Sequence, residues 1–249
     1  MKNNAIYILL ALAIFTHRAT AQDTIPAQAS DIEPIGWGFV SASAGLVVSG
    51  CALHYAPGIQ HINTDVRDNV QHWRNAPPRN GAALHVDNYL QYAPVASAYL
   101  LKLCGVPAKH NYLDLTLIST ETFLTTSIVV VTMKTAIDIQ RPDQTAYNSF
   151  PSGHTATAFA GAEILRNEYW ETSPWIGIAG YTIATATGLL RIYNNRHWTG
   201  DVLTGAGIGI LSARFANWIN PKINQLLFPK RRHITDHTTC NLTLSESSL

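Results

Sequence analysis

KTAIDIQRP (residues 134–142), PSGH (151–154) and RIYNNRHWTGD (191–201) are the three stretches on which the reading of this chain turns. The first spaces a lysine and an arginine seven apart, Lys134 and Arg141, and closes on Pro142. Seven residues are about two helical turns, so both cations are expected near one helix face, with Pro142 ending the helix. In the second, Ser152 is a good N-cap and Gly153 lets a ligand approach the backbone. The free N–H groups of that helix start suit an anion. His154 projects from the same first turn. In the third, His197 and Asp201 lie four apart, so a helix would bring the carboxylate to one ring nitrogen and aim the other outward. Arg191 supplies a planar fork for oxyanions. Taken singly, each stretch has a plain reading: a snorkelling lysine, a helix cap, a surface histidine beside a capping aspartate. Taken together they supply three fixed cations, two histidines and one orienting carboxylate, a set suited to phosphoryl transfer without a metal.

In this order and spacing the three stretches resemble the signature of the type 2 phosphatidic acid phosphatase (PAP2) superfamily. That superfamily holds membrane lipid phosphatases, soluble class A acid phosphatases and vanadium haloperoxidases. The signature covers Lys134 to Asp201, and residues 85–220 as a whole resemble membrane phosphatases of Bacteroidota, lipid A 4′-phosphatases among them. One departure is visible: many members have serine before the third-stretch arginine, where this chain has Leu190. The resemblance implies catalytic roles for His197 as nucleophile, Asp201 as its partner and His154 as acid, then base. It implies phosphate binding by Lys134, Arg141, Ser152, Gly153 and Arg191. It implies no cofactor and no metal. The expected substrate is a lipid phosphate monoester or pyrophosphate, such as lipid A, undecaprenyl pyrophosphate or phosphatidylglycerophosphate.

Outward from the signature, the chain reads as an all-α helical bundle of PAP2 type. Helical segments are expected at about 89–106, 113–138, 152–166, 175–191 and 200–218, with a tight hairpin at Pro107–Asn111. Charged residues make up 13% of 249, well under an ordinary soluble protein, and this leans toward a membrane. Glu163 and Arg214 interrupt two of the apolar runs, and a mean hydropathy of +0.03 leans the other way. Five or six transmembrane helices are expected, with the active site at the periplasmic end. A net charge of +1 gives no nucleic-acid footprint, and no obligate protein partner is evident.

Lys2, the apolar Ala5–Phe15 and Ala19-Thr20-Ala21 read as a secretory signal peptide or an anchor of the same polarity, over 1–21. Residues 22–88 read as a polar N-terminal region, 89–220 as the phosphatase core and 221–249 as a polar tail opened by Lys230-Arg231-Arg232. Within the N-terminal region Ile35–Leu53 is uncharged and is expected to pack on the bundle or lie at the interface. His54, His61, His72 and His85 are spaced 7, 11 and 13 apart, which matches no metal-ligand pattern, and read as solvated histidines. Cys51, Cys104 and Cys240 contain no C-x-x-C and read as two buried small hydrophobes and one tail thiol. The expected location is the bacterial inner membrane with a periplasmic site, or the periplasm if the chain is soluble. Three other readings stand beside the lipid phosphatase: a soluble periplasmic acid phosphatase, a vanadium haloperoxidase (usually a much longer chain), and a non-catalytic relative that binds a lipid phosphate.

Overall fold

In a computed structural model the described residues, 37–75 and 83–228, form eight helices. They are α1 (Trp37–Tyr55), α2 (His61–Asn75), α3 (Asp87–Leu90), α4 (Ala93–Leu103), α5 (Tyr112–Ala136), α6 (Gly153–Tyr169), α7 (Pro174–Tyr193) and α8 (Thr199–Leu227). Among the described residues there is no strand, only an isolated bridge between Ile139 and Asn148. The five expected helical segments are all present. The expected signal peptide, Cys240 and the Lys230–Arg232 cluster lie outside the described residues.

Local chemistry sets most helix ends. Asn111 caps α5 by accepting from Asp114 N at 2.9 Å, and Pro174 opens α7 at a position whose N–H has no helical partner. Gly105, at φ +82°, ends α4 in a left-handed conformation that favours glycine, and Val106 N returns to Leu101 O at 3.0 Å. This is the tight hairpin expected before α5. The end of α5 differs from expectation. The helix stops at Ala136, six residues ahead of Pro142, because Ile137 is already extended (φ −127°, ψ 107°).

α6 and α8 form the centre. α6 presents Ala156, Ala158, Ala160 and Ala162, all fully buried, and α8 meets it with glycines. A Cβ on Gly209 would stand 2.3 Å from Ala156 O, and one on Gly207 would stand 2.5 Å from Ser43 O of α1. The two glycines thus let α8 touch backbone on two sides, the small-residue packing that helices use where hydrophobic force is weak. Gly209→Ala is expected to lower stability by about 1–3 kcal/mol or more, since neither backbone can yield cheaply. A thermal melt in detergent reads this; an unchanged midpoint would mean that the contact is looser than drawn.

α1 packs along α8, as expected of a segment that joins the bundle. It is also one of three helices, with α5 and α8, long and apolar enough to cross a membrane. Large apolar side chains face outward, among them Val48, Leu124, Ile128, Val131, Trp175 and Leu189. Such a coat suits lipid more than water. The helices alternate in direction, so the α5–α6 loop, the α7–α8 loop and the α2–α3 region gather at one end. At mid-depth lies a buried charge cluster. Glu163, fully buried, accepts from Arg166 at 2.8 and 2.9 Å and from Tyr181 Oη at 2.6 Å, and pairs with Arg214 at 2.5 Å. Phe39 of α1 lies against both guanidiniums, at 4.7 and 4.4 Å.

Candidate active site

The loop from 137 to 152 is built around its own backbone. Arg141 N donates to Ala146 O at 2.9 Å and Ser149 N to Ile139 O at 3.0 Å. Arg141 therefore sits in a loop, not on the α5 face that the seven-residue spacing suggested. It still faces Lys134, because the loop folds back over the last turn of α5. Lys134 Nζ donates to Asn148 O at 2.5 Å and to Ser149 O at 3.3 Å, while Arg141 Nε donates to Asn148 Oδ1 at 2.9 Å. Asn148 thus fixes the two cations relative to each other.

Ser152 is the N-cap of α6, as expected, accepting from Thr155 N. Its own N–H donates to Asp201 O at 3.0 Å, which ties this helix start to the start of α8. The N–H groups of Gly153 and His154 stand in the open first turn. A methyl on Gly153 would meet only Val130 Cγ1, at an ordinary 3.6 Å, so packing does not demand glycine there. His154 Nε2 lies 3.0 Å from Asn88 Oδ1, and burial, with Arg191 close by, pulls its imidazole down to about 4.

Arg191 ends α7 and is buried, with Nη1 donating to Asp87 Oδ2 at 2.5 Å. The serine missing at Leu190 leaves no gap behind the arginine, since Asp87 holds it. Arg191 Nε is buried with no acceptor among the described residues. The chain then turns through Asn195 (φ +59°), a residue that tolerates this conformation, to reach His197.

Asp201 is fully buried and takes donors from four directions. His54 Nε2 reaches Oδ1 at 2.8 Å. Oδ2 receives Ser149 Oγ at 2.5 Å, Trp198 N at 2.9 Å and His197 Nδ1 at 3.3 Å. The expected His197–Asp201 pair is present, and Asp201 also caps its helix, so the catalytic and the plain reading of this residue hold together. His197 is 2% exposed, and burial pulls its imidazole down to about 4, against the pull of the Asp201 carboxylate. Its ring is therefore neutral over nearly the whole physiological range.

All eight sequence-predicted residues, Lys134, Arg141, Ser152, Gly153, His154, Arg191, His197 and Asp201, lie at this one end of the bundle. Four others were not foreseen: His54, Asp87, Asn88 and Ser149. His54 corrects the reading of the N-terminal histidines as solvated; His61, His72 and His85 are exposed, but His54 is inside the site. The cysteine reading is corrected too, since Cys104 is exposed and Cys51 only partly covered.

Residues 116–225 match the model of the PAP2 superfamily. Over 83 residues, 33% of this chain and 19% of the relative, the sequence is 58% identical to the lipid A 1-phosphatase of Porphyromonas gingivalis. Over 77 residues, 31% of the chain, it is 36% identical to the bacitracin transport permease protein BcrC of Bacillus licheniformis, covering 36% of that protein. The matched segments thus span about a fifth and a third of these curated relatives. Among solved structures, the first transmembrane PAP2 type phosphatidylglycerolphosphate phosphatase from Bacillus subtilis shares the fold. It has a TM-score of 0.53 at 19% identity, over 75% of this chain and 98% of that one. Aquifex aeolicus LpxE aligns with a TM-score of 0.49 at 20% identity, over 62% of this chain and 94% of that one.

Proposed function

We infer that this chain, whose residues 116–225 match the PAP2 superfamily model, is a membrane phosphatase of that superfamily that hydrolyses a lipid phosphate monoester or pyrophosphate through a phosphohistidine. The observation that carries the reading is the convergence of three cations, Lys134, Arg141 and Arg191, on a buried His197–Asp201 pair beside an open helix start. The unpartnered Nε–H of Arg191 is a ready donor for a phosphoryl oxygen. Its relative's activity, at the 1-phosphate of lipid A by name, supports a lipid-borne phosphate over a soluble ester. So does the apolar outer surface.

In this mechanism His197, held through Nδ1 by Asp201, attacks phosphorus in line with Nε2. The bond to the leaving oxygen breaks as a phosphorus–nitrogen bond forms, and His154 gives the leaving oxygen its proton. Asp201 stabilises the cationic imidazole. His154, now a base, takes a proton from the water that cleaves the phosphohistidine, releasing phosphate. Lys134, Arg141, Arg191 and the Ser152–Gly153 turn hold the phosphoryl oxygens throughout. We place the catalytic end on the periplasmic face of the inner membrane, a placement supported by the basic cluster at 230–232, which follows the far end of α8.

The test is phosphate release by detergent-purified protein, with EDTA present. Substrates are lipid A, undecaprenyl pyrophosphate, phosphatidic acid, phosphatidylglycerophosphate and p-nitrophenyl phosphate. Turnover confined to lipids supports the reading; strong turnover of the small ester favours the soluble acid phosphatase; none on any substrate sinks it.

The nucleophile also sets an expected pH profile. With its folded value lowered to about 4, His197 remains unprotonated down to that pH. The acid limb of kcat/KM is expected near pH 4, not near the 6.5 of free imidazole; burial lowers the general acid His154 to about 4 as well, so an alkaline limb is expected to begin close above that pH. Between those values the unfolded chain binds more protons at this site than the folded one. Stability therefore rises with pH across this window. An acid limb at 6–7 would show an exposed or unpaired nucleophile.

A further inference from the structure

We propose that His54, which precedes the family-matched segment, is a positioning residue for the catalytic carboxylate: it holds Asp201 in the rotamer that serves His197. The inference rests on the phosphatase reading of the site. Asp201 lies between two imidazoles, His54 on Oδ1 at 2.8 Å and His197 on Oδ2 at 3.3 Å. The His54 contact is the shorter, and its side chain is 9% exposed against 0% for Asp201.

Three independent features fix this contact. Phe150, fully buried, meets the His54 ring edge-on at 5.2 Å and 84°. Gly200 makes room for it and for the α1 backbone: a Cβ there would lie 2.7 Å from Gly50 O, 2.8 Å from His54 Cδ2 and 2.9 Å from Nε2. Asn63 of α2, 5% exposed, clamps the backbone beside both partners. It donates from Nδ2 to Leu53 O at 3.0 Å and accepts at Oδ1 from Gly200 N at 3.0 Å. Leu53 precedes His54 and Gly200 precedes Asp201, so one side chain sets the register between α1 and α8 at the pair itself. A histidine on α1 for packing alone would not need the clamp.

Partners that orient a functional histidine's carboxylate typically matter by 10–100-fold when lost. His54→Ala in the full-length protein is expected to lower kcat on the order of 10–100-fold with KM nearly unchanged, because no cation of the phosphate site is touched. His54→Gln places an amide N–H where Nε2 stood and is expected to recover most of the rate. In an Asp201→Asn background His54→Ala should add no further loss. Gel filtration and a melt establish that each variant is folded.

A readout independent of turnover keeps the test separate from the phosphatase reading. With ¹⁵N-labelled histidine, the His197 titration is expected to move upward in His54→Ala, as Asp201 loses a donor and becomes more basic. The groups around the pair, Lys134 on α5, Arg191 on α7 and Arg141 in the α5–α6 loop, are the same in both proteins. A wild-type kcat in His54→Ala, an undiminished loss in the Asp201→Asn background, or an unmoved His197 titration would each overturn the inference. Failure of the wild type to release phosphate, with the titration shifted as expected, would sink the phosphatase reading alone.

Discussion

His197→Ala is expected to abolish phosphate release, by a factor on the order of 10⁶ in kcat if loss of a nucleophile here matches its loss in other hydrolases. That factor is about 8 kcal/mol of barrier, more than any other single side chain here would supply. The cations, His154 and the helix start remain in place in such a variant, so substrate binding should survive and KM should move little. Among the described residues His197 donates only to Asp201, which keeps His54, Ser149 and the Trp198 N–H. The fold should therefore hold. Rapid quench into alkaline detergent, which preserves a phosphorus–nitrogen bond, would show a ³²P-labelled intermediate in the wild type and none in the variant. A residual rate within a hundredfold of wild type would mean that water attacks phosphorus directly.

Arg191→Ala should injure both activity and fold, for separable reasons. Loss of one donor to an oxyanion costs about 10²–10³ in rate. The substitution also strands Asp87, whose side chain is 1% exposed and whose charge is compensated by this arginine. Breaking a buried pair from one side typically costs about 3–5 kcal/mol. Arg191→Lys separates the two, since it restores a cation for Asp87 but lacks the planar fork. It should recover much of the melting temperature and little of the rate. If Arg191→Ala retained wild-type kcat/KM, Arg191 would be structural and the phosphate site would rest on Lys134 and Arg141.

The core helices were legible because each carries a strong local signal: Ser152 before an apolar run, Pro174 at a helix start, Pro107 after α4. The His197–Asp201 pair was legible because a four-residue spacing is a statement about one helix. Arg141 was placed at the right end for the wrong reason. Its seven-residue spacing from Lys134 fits a helix face, yet the chain leaves the helix at Ala136 and brings Arg141 back through a loop. α2 was missed although Ile62, Val66, Val70 and Trp73 recur at helical spacing, and in the structure polar groups hold it. Gln71 donates to Ile192 O and Tyr193 O, Arg67 to Asn195 Oδ1, and Asn63 bridges Leu53 and Gly200. His54 and Asp87 were illegible for a related reason. Each meets a partner more than a hundred residues away, and no spacing within a helix reports such a contact.

The charge cluster around Glu163 bears on how the protein is made. During synthesis α6 emerges with Glu163 and Arg166 three residues apart, already able to neutralise each other as the helix leaves the translocon. Arg214 comes some fifty residues later, on the last helix. A lone arginine at the centre of a spanning helix costs roughly 2.5–3.5 kcal/mol to insert. α8 would therefore pass into lipid at a penalty until it reaches α6 and α7, where Glu163 awaits it. Its glycine faces let that docking proceed to backbone contact. Membrane integration of the last helix and assembly of the bundle are thus expected to be one event. Chains released before Arg214 would leave α6 complete but uncovered, a form that quality-control proteases should clear.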